Sequence, residues 1–149
     1  MTDTYNITIP AQARDVVAMA VDLFGERLCG VYLYGSAVLG GLRPDSDIDI
    51  LIIVDGGLDD TLRAELTKRL LELSVPVATA RCEHDRLRPL EVTILDKNQL
   101  RPRRFPPRIE YLYGEGLRAE IEAGVLPMPH ERTDLVILLR QSERHSLRL

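Results

Sequence analysis

The run Ile48 to Val54, opened by Asp47 and closed by Asp55-Gly56-Gly57, constrains the fold of this chain more than any other feature. It is short, rich in β-branched residues and bounded by turn formers, so it predicts a strand. In a strand, residues i and i+2 share a face. Asp47 and Asp49 therefore project together, while Ile48 and Ile50 enter the core on the other side. Two carboxylates on one face of an apolar strand repel and cost desolvation unless a cation sits between them. Mg²⁺ favours such oxygen sites, using one or two carboxylates and completing its shell with water and substrate phosphates. Two ions roughly 3.5–4 Å apart could clamp the attacking and leaving oxygens of an in-line displacement at phosphorus. A strand end meeting solvent would also produce an Asp-x-Asp pair, so the pair alone leaves both readings open.

Two further elements bear on that choice. Leu33-Tyr34-Gly35-Ser36 precedes the acidic pair. Gly35 supplies backbone freedom for a sharp turn, and Ser36 can cap the turn that follows, presenting N–H groups and a hydroxyl to phosphate oxygens. Neither Gly-x-x-x-x-Gly-Lys-Ser/Thr nor Gly-x-Gly-x-x-Gly opening a helix is present, so the common phosphate-loop and dinucleotide motifs are excluded. Glu91 lies inside the apolar run Leu90 to Leu95. An unpaired acid there is costly, unless the strand is an edge with Glu91 facing water. Beside the Asp strand, it would bring three carboxylates to one point, where it could ligate metal or take a proton from a substrate hydroxyl.

The chain has 149 residues, which predicts a single domain with a core that needs no disulfides. Its net charge of -4 argues against a dedicated nucleic-acid binder and suits a cationic small molecule. The basic stretch Arg101-Pro102-Arg103-Arg104 has no interleaved aromatics and reads as a solvated loop. No segment approaches the roughly 20 apolar residues of a membrane span, and Met1 to Pro10 lacks a signal-peptide layout, so a cytoplasmic location is expected. Cys29 reads as core. Cys82 and His84 would be half of a zinc site with no second half nearby, and His130 and His145 read as surface residues.

Periodicity predicts a helix over 11–28, with Pro10 near its start and Gly30 after its end. Strands are expected at Val31–Tyr34, Ile48–Val54, Leu90–Leu95 and Ile109–Tyr113. The first two should pair across the loop between them. A second amphipathic helix is expected over Leu58–Leu73, with Leu62, Leu66, Leu70 and Leu73 inward and Arg63 outward. Residues 101–108 read as an extended connector, Glu115–Ala123 as a short helix, and Thr133–Leu147 as a helix capped by Thr133. The class is α/β or α+β, a small mixed sheet flanked by helices.

Leu33-Tyr34-Gly35-Ser36-Ala37-Val38, Gly40-Gly41-Leu42, Pro44, Ser46-Asp47-Ile48-Asp49 and Glu91-Val92-Thr93-Ile94 resemble the nucleotidyltransferase domain of the streptomycin/spectinomycin adenylyltransferases. These are aminoglycoside-resistance enzymes of the polymerase-β-like superfamily. The resemblance continues through Arg104-Phe105-Pro106, Tyr113-Gly114-Glu115, Asp134-Leu135 and His145-Ser146, covering residues 28 to 149. It implies a polymerase-β-like nucleotidyltransferase fold and transfer of AMP from ATP to a drug hydroxyl, with release of pyrophosphate. By the same resemblance Asp47 and Asp49 ligate two Mg²⁺ ions, Gly35 and Ser36 hold the triphosphate, and Ser46 positions the nucleotide. The resemblance also implies that Glu91 is the catalytic base, a metal ligand and a drug contact. Asp134 falls where the family places an acid near the adenosine, although it also reads as a residue starting a helix.

Two departures from the family pattern carry expectations of their own. Family members acting on both drugs have a tryptophan after the Gly-Glu pair, whereas this chain has Gly116, which favours spectinomycin over streptomycin. The family's helical C-terminal domain is also absent from residues 1–149. That allows two alternatives: a minimal antitoxin-type nucleotidyltransferase acting on a partner protein, or a truncated non-catalytic nucleotide-binding remnant. Apolar surface left by the missing domain, with Leu135, Val136, Leu138 and Leu139 on the final helix, would favour self-association.

Overall fold

The computed structural model describes residues 9–35, 46–78, 87–100, 106–135, 137–140 and 146–149. Helix α1 spans Ala11–Phe24 and starts where the Pro10 carbonyl accepts from the Ala13 N–H at 3.0 Å. It ends earlier than its apolar pattern suggests. Gly25, at φ 55°, breaks it, and a 3₁₀ turn over Gly25–Arg27 leads straight into strand β1, Leu28–Tyr34. Gly30 thus lies within a strand rather than after a helix. Cys29 is half-buried in that strand and is not core.

Strand β2 covers Ile48–Val54 and pairs antiparallel with β1, while β3, Leu90–Asp96, pairs with β2 in parallel. A parallel neighbour needs a crossover. Helix α2, Asp60–Leu73, lies within that connection and is capped by the Asp59 carboxylate, which accepts from the Leu62 N–H at 2.7 Å. Such a cap is worth about 1 kcal/mol.

The expected strand over 109–113 is divided in two. Arg108–Ile109 (β4) pairs with His130–Glu131 (β6) in a separate ribbon, whereas Tyr111–Tyr113 (β5) joins the main sheet beside β3. The break falls at Glu110, whose carboxylate accepts from the Leu58 N–H at 2.9 Å and from Arg63 Nη2 at 3.0 Å. Arg63 was expected to face solvent, but it is 2% exposed and also donates to the carbonyls of Glu110 and Pro127. Removing one partner of a buried pair like this is costly, so it fixes where the strand divides.

The remaining helix is α3, Arg118–Glu122, which follows a 3₁₀ turn over Glu115–Leu117. Residues 135 and 137–140 are helical, but Leu147–Arg148 forms strand β7 on the free edge of β1. The final helix therefore does not reach Leu147. The main sheet runs β5-β3-β2-β1-β7.

Each face of this sheet has its own apolar cluster. Leu33, Ile48, Ile50, Ile52, Val92 and Ile94 pack with Leu66 and Leu70 of α2 and with Val16, Met19 and Ala20 of α1. Fully burying one such aliphatic side chain is worth about 1.5–3 kcal/mol. The opposite face gathers Tyr34, Leu51, Leu95 and Ile109 under Leu135, with Leu138 and Leu139 against them. Those leucines, expected to drive self-association, are turned onto the sheet. Ile137 is exposed, at 62%, and Val136 lies outside the described residues. Among the described residues no helix is long and apolar enough to cross a membrane.

Glu115 ties the start of α3 to the lower end of the sheet, accepting from Arg118, from Ser74 Oγ and from the Tyr113 hydroxyl. Burial opposes its charge, yet the hydrogen bonds from Arg118 and Ser74 hold its pKa below the ordinary carboxylate value. A carboxylate depressed on folding adds stability above its unfolded pKa, about 4.3, and loses it as the pH falls through the folded value. Thermal melts of the wild-type protein and Glu115→Gln should therefore differ at about pH 7 and converge towards about pH 3. A gap that stays constant over that range contradicts the assignment.

Candidate active site

The sheet face opposite α1 and α2 carries the candidate acidic residues. Alternation along the strands places Tyr34 of β1, Asp49 of β2 and Glu91 and Thr93 of β3 on it, because Leu33, Ile50, Val92 and Ile94 are committed to the helical side. In the ladder Tyr34 stands opposite Asp49, and Asp49 stands opposite Glu91. Two carboxylates that lie apart in sequence are thus adjacent through the parallel register of β2 and β3.

Asp49 is half-buried, and burial pushes its pKa up to about 7, helped by the charges of Glu91 and Asp47 and by a hydrogen bond with Glu91. That bond needs a proton between the two groups. A divalent cation can take the proton's place, since it relieves both the desolvation and the repulsion. Asp47 lies just before β2, exposed, and acts on Asp49 through its charge. Among the described residues no group of three or more His, Cys, Asp or Glu side chains is drawn together tightly enough for a metal cage. The donor set still fits Mg²⁺, which takes only one or two carboxylates and leaves the rest of its shell to water and phosphate.

Gly35 closes β1 directly over this pair. Its φ is +70°, and a Cβ built on it would lie 2.2 Å from Asp49 Oδ2. Only glycine leaves room for that carboxylate beneath the turn. Ser36 lies outside the described residues, as do Cys82, His84, Arg101–Arg104 and His145. Ser46 is half-buried just ahead of β2, and its carbonyl accepts from Arg88 Nη1 at 3.2 Å. His130 is exposed in β6, its Nδ1 3.1 Å from the Met128 carbonyl.

Asp134 lies exposed ahead of the last helical residues and pairs through both oxygens with Arg132, Nε to Oδ1 at 3.0 Å. That hydrogen bonding and charge hold its carboxyl below the usual range. Arg132 is in turn anchored by its N–H to the Pro107 carbonyl at 2.9 Å, and its charge reaches Glu91 and Tyr34. The Tyr34 phenol is held above its ordinary pKa by burial, then by Asp49 and Glu91, so it stays neutral and can donate. Sequence reasoning missed Tyr34, Thr93 and Arg132 as neighbours of the acidic pair. For Tyr34 and Thr93 the signal was available, as each shares the acids' face by period-two alternation. Arg132 sits in an irregular segment where no periodicity marks it.

Comparison with known proteins adds the following. The nucleotidyltransferase domain family profile matches residues 21–106. Spectinomycin 9-adenylyltransferase of Campylobacter jejuni is 45% identical over 140 residues, which is 94% of this chain and 52% of that protein. Aminoglycoside (3'') (9) adenylyltransferase of Klebsiella pneumoniae is 39% identical over 141 residues, 95% of this chain and 52% of that one. The crystal structure of spectinomycin adenyltransferase AAD(9) from Enterococcus faecialis with ATP and spectinomycin superposes with a TM-score of 0.86 at 31% identity, covering 93% of this chain and 54% of that chain. The chain spans about half the length of the curated relatives it matches.

Proposed function

The chain belongs to the nucleotidyltransferase domain family, and from that premise we propose that it carries the nucleotide-handling half of an enzyme that transfers AMP from ATP to a hydroxyl of spectinomycin. Its mixed five-stranded sheet with flanking helices is the α+β nucleotidyltransferase fold. The observation that carries the reading is the Asp49–Glu91 pair in register beneath Gly35, with Asp49 partly desolvated.

In this reading Asp47 and Asp49, with Glu91, hold two Mg²⁺ ions together with the triphosphate. Bound there, Mg²⁺ neutralises phosphate charge and makes the α-phosphorus more electrophilic. Gly35 and Ser36 cradle the phosphates through their backbone N–H groups, Ser46 positions the nucleotide, and Asp134 faces the adenosine. Glu91 accepts the proton of the acceptor hydroxyl as its oxygen bonds to the α-phosphorus, and the bond to pyrophosphate breaks. The acidic site also suits a cationic aminocyclitol.

Spectinomycin is favoured over streptomycin for two reasons. Relatives named for spectinomycin reach 45% identity, against 39% for those named for both positions. A Cβ at Gly116 would meet nothing within 4 Å, so packing does not force a small residue where the dual-acting members have tryptophan. Purified protein incubated with labelled ATP and Mg²⁺ should transfer AMP to spectinomycin and not to streptomycin. Transfer to neither drug by a protein shown to be full length sinks the proposal, and equal transfer to both sinks the drug assignment.

A further inference from the structure

Gln12 is a polar residue on the buried side of α1, 6% exposed, and its side chain is spent on the backbone of other elements. Its Nε2 donates to the Leu73 carbonyl at the end of α2 and to the Arg88 carbonyl, both at 2.7 Å, and its Oε1 accepts from the Arg88 N–H at 2.8 Å. One side chain thus holds both backbone polar groups of Arg88. The neighbouring residues are pinned too. The Pro89 carbonyl accepts from the Ile48 N–H at 2.9 Å, and the Leu90 N–H donates to Ser74 Oγ at 2.9 Å. From this fixed base Arg88 extends Nη1 to the Ser46 carbonyl at 3.2 Å.

Ladder pairing of β2 begins at Ile48, so Asp47 lies outside the registered pairs. The peptide before it contributes to its direction, and that peptide is the one whose carbonyl Arg88 holds. A guanidinium is suited to the task because its planar donors lose little freedom when they bond. We propose that Gln12 and Arg88 form a positioning relay that sets the Ser46–Asp47 entry to β2 and so aims the Asp47 carboxylate. The identity of what Asp47 is aimed at, a divalent cation with its nucleotide, rests on the nucleotidyl-transfer reading; the relay itself is a matter of hydrogen bonds. Arg88 and Gln12 are positioning residues, acting through the backbone of Ser46.

The test compares the unsubstituted protein with Arg88→Met, Arg88→Lys and Gln12→Leu. It reads the ligand-free amide resonances of Ser46 and Asp47, the calorimetric affinity for Mg-ATP, and the melting temperature. Arg88→Met should shift both amides while leaving those of Ile52 and Ile94 in place, and should weaken Mg-ATP binding about tenfold or more. Gln12→Leu, which removes no charge, should shift the same amides in the same sense; if it fails to fold, the Arg88 pair decides. Unmoved Ser46 and Asp47 amides in Arg88→Met, or affinity within about twofold of the unsubstituted protein, overturn the relay. So does full recovery of affinity in Arg88→Lys with the amides still displaced, since charge alone would then be acting. If the unsubstituted protein binds no Mg-ATP, the nucleotidyl-transfer reading fails by itself; moved amides then uphold the relay and unmoved ones overturn it.

Discussion

Glu91→Gln is expected to lower the rate of AMP transfer by about 10²–10⁴-fold, the usual span for loss of a positioned general base. The substitution keeps the shape of the side chain and removes its ability to accept a proton. Its neighbours Leu90 and Val92 are buried and their ladder partners Ile48 and Ile50 are fully buried, so β3 has no reason to move. The amide can still donate to Asp49, which is then relieved of a like charge at its side. Mg-ATP affinity should therefore fall much less than the single-turnover rate measured at saturating nucleotide and drug. That split identifies a group acting on the acceptor's proton, since a residue that only held metal would lose affinity and rate together. A rate unchanged in Glu91→Gln would place the base elsewhere, and Asp49 would be the next candidate.

The central strands were legible because the signal and the structure are both local. Ile48–Val54 is a β-branched run between turn formers, and it is a strand with those same bounds. Apart from the local break of α1 at Gly25, the misreadings share a cause, in that a contact distant in sequence decided a local question. Leu28 and Cys29 continue the apolar pattern of α1, but the β1–β2 pairing takes Leu28 opposite Val54 and claims both for a strand. Arg63 looked like a solvent-facing residue until the Glu110 carboxylate met it, and that same meeting split one apparent strand into β4 and β5. Leu147 fits a helical repeat yet completes the edge of β1. The site divides in the same way. That Asp49 faces away from the core follows from alternation, whereas its adjacency to Glu91 follows from a parallel register that no single strand's pattern contains. The relay through Gln12 is further still from view, because a lone glutamine on an amphipathic helix carries no mark of the backbone it will hold.

Gly35→Ala should separate the two things glycine does at that turn, and it should be the most damaging glycine-to-alanine change among the described residues. The backbone at φ +70° disfavours any L side chain, a cost of about 1–2 kcal/mol. The new Cβ would also stand 2.2 Å from Asp49 Oδ2 and 3.2 Å from its Cγ, far inside contact distance. Asp49 has no room to yield through its backbone, because Ile48 and Ile50 on either side are fully buried. The carboxylate must rotate away from Gly35, and with it goes the geometry shared with Glu91. A displacement of about 1 Å in a reacting group costs about 10²-fold, so the rate of AMP transfer should fall by at least that much. Gly124→Ala supplies the comparison, since Gly124 has φ +96° but nothing within 4 Å of a new Cβ. It should lose stability on chemical denaturation by a similar backbone cost while keeping its rate within about twofold. Equal losses of rate in the two variants would mean that backbone strain, and not the contact with Asp49, explains why the turn needs glycine. Loss confined to Gly35→Ala would tie the Gly-Ser turn to the carboxylate beneath it, two elements that sequence order separates and the β1–β2 pairing brings together.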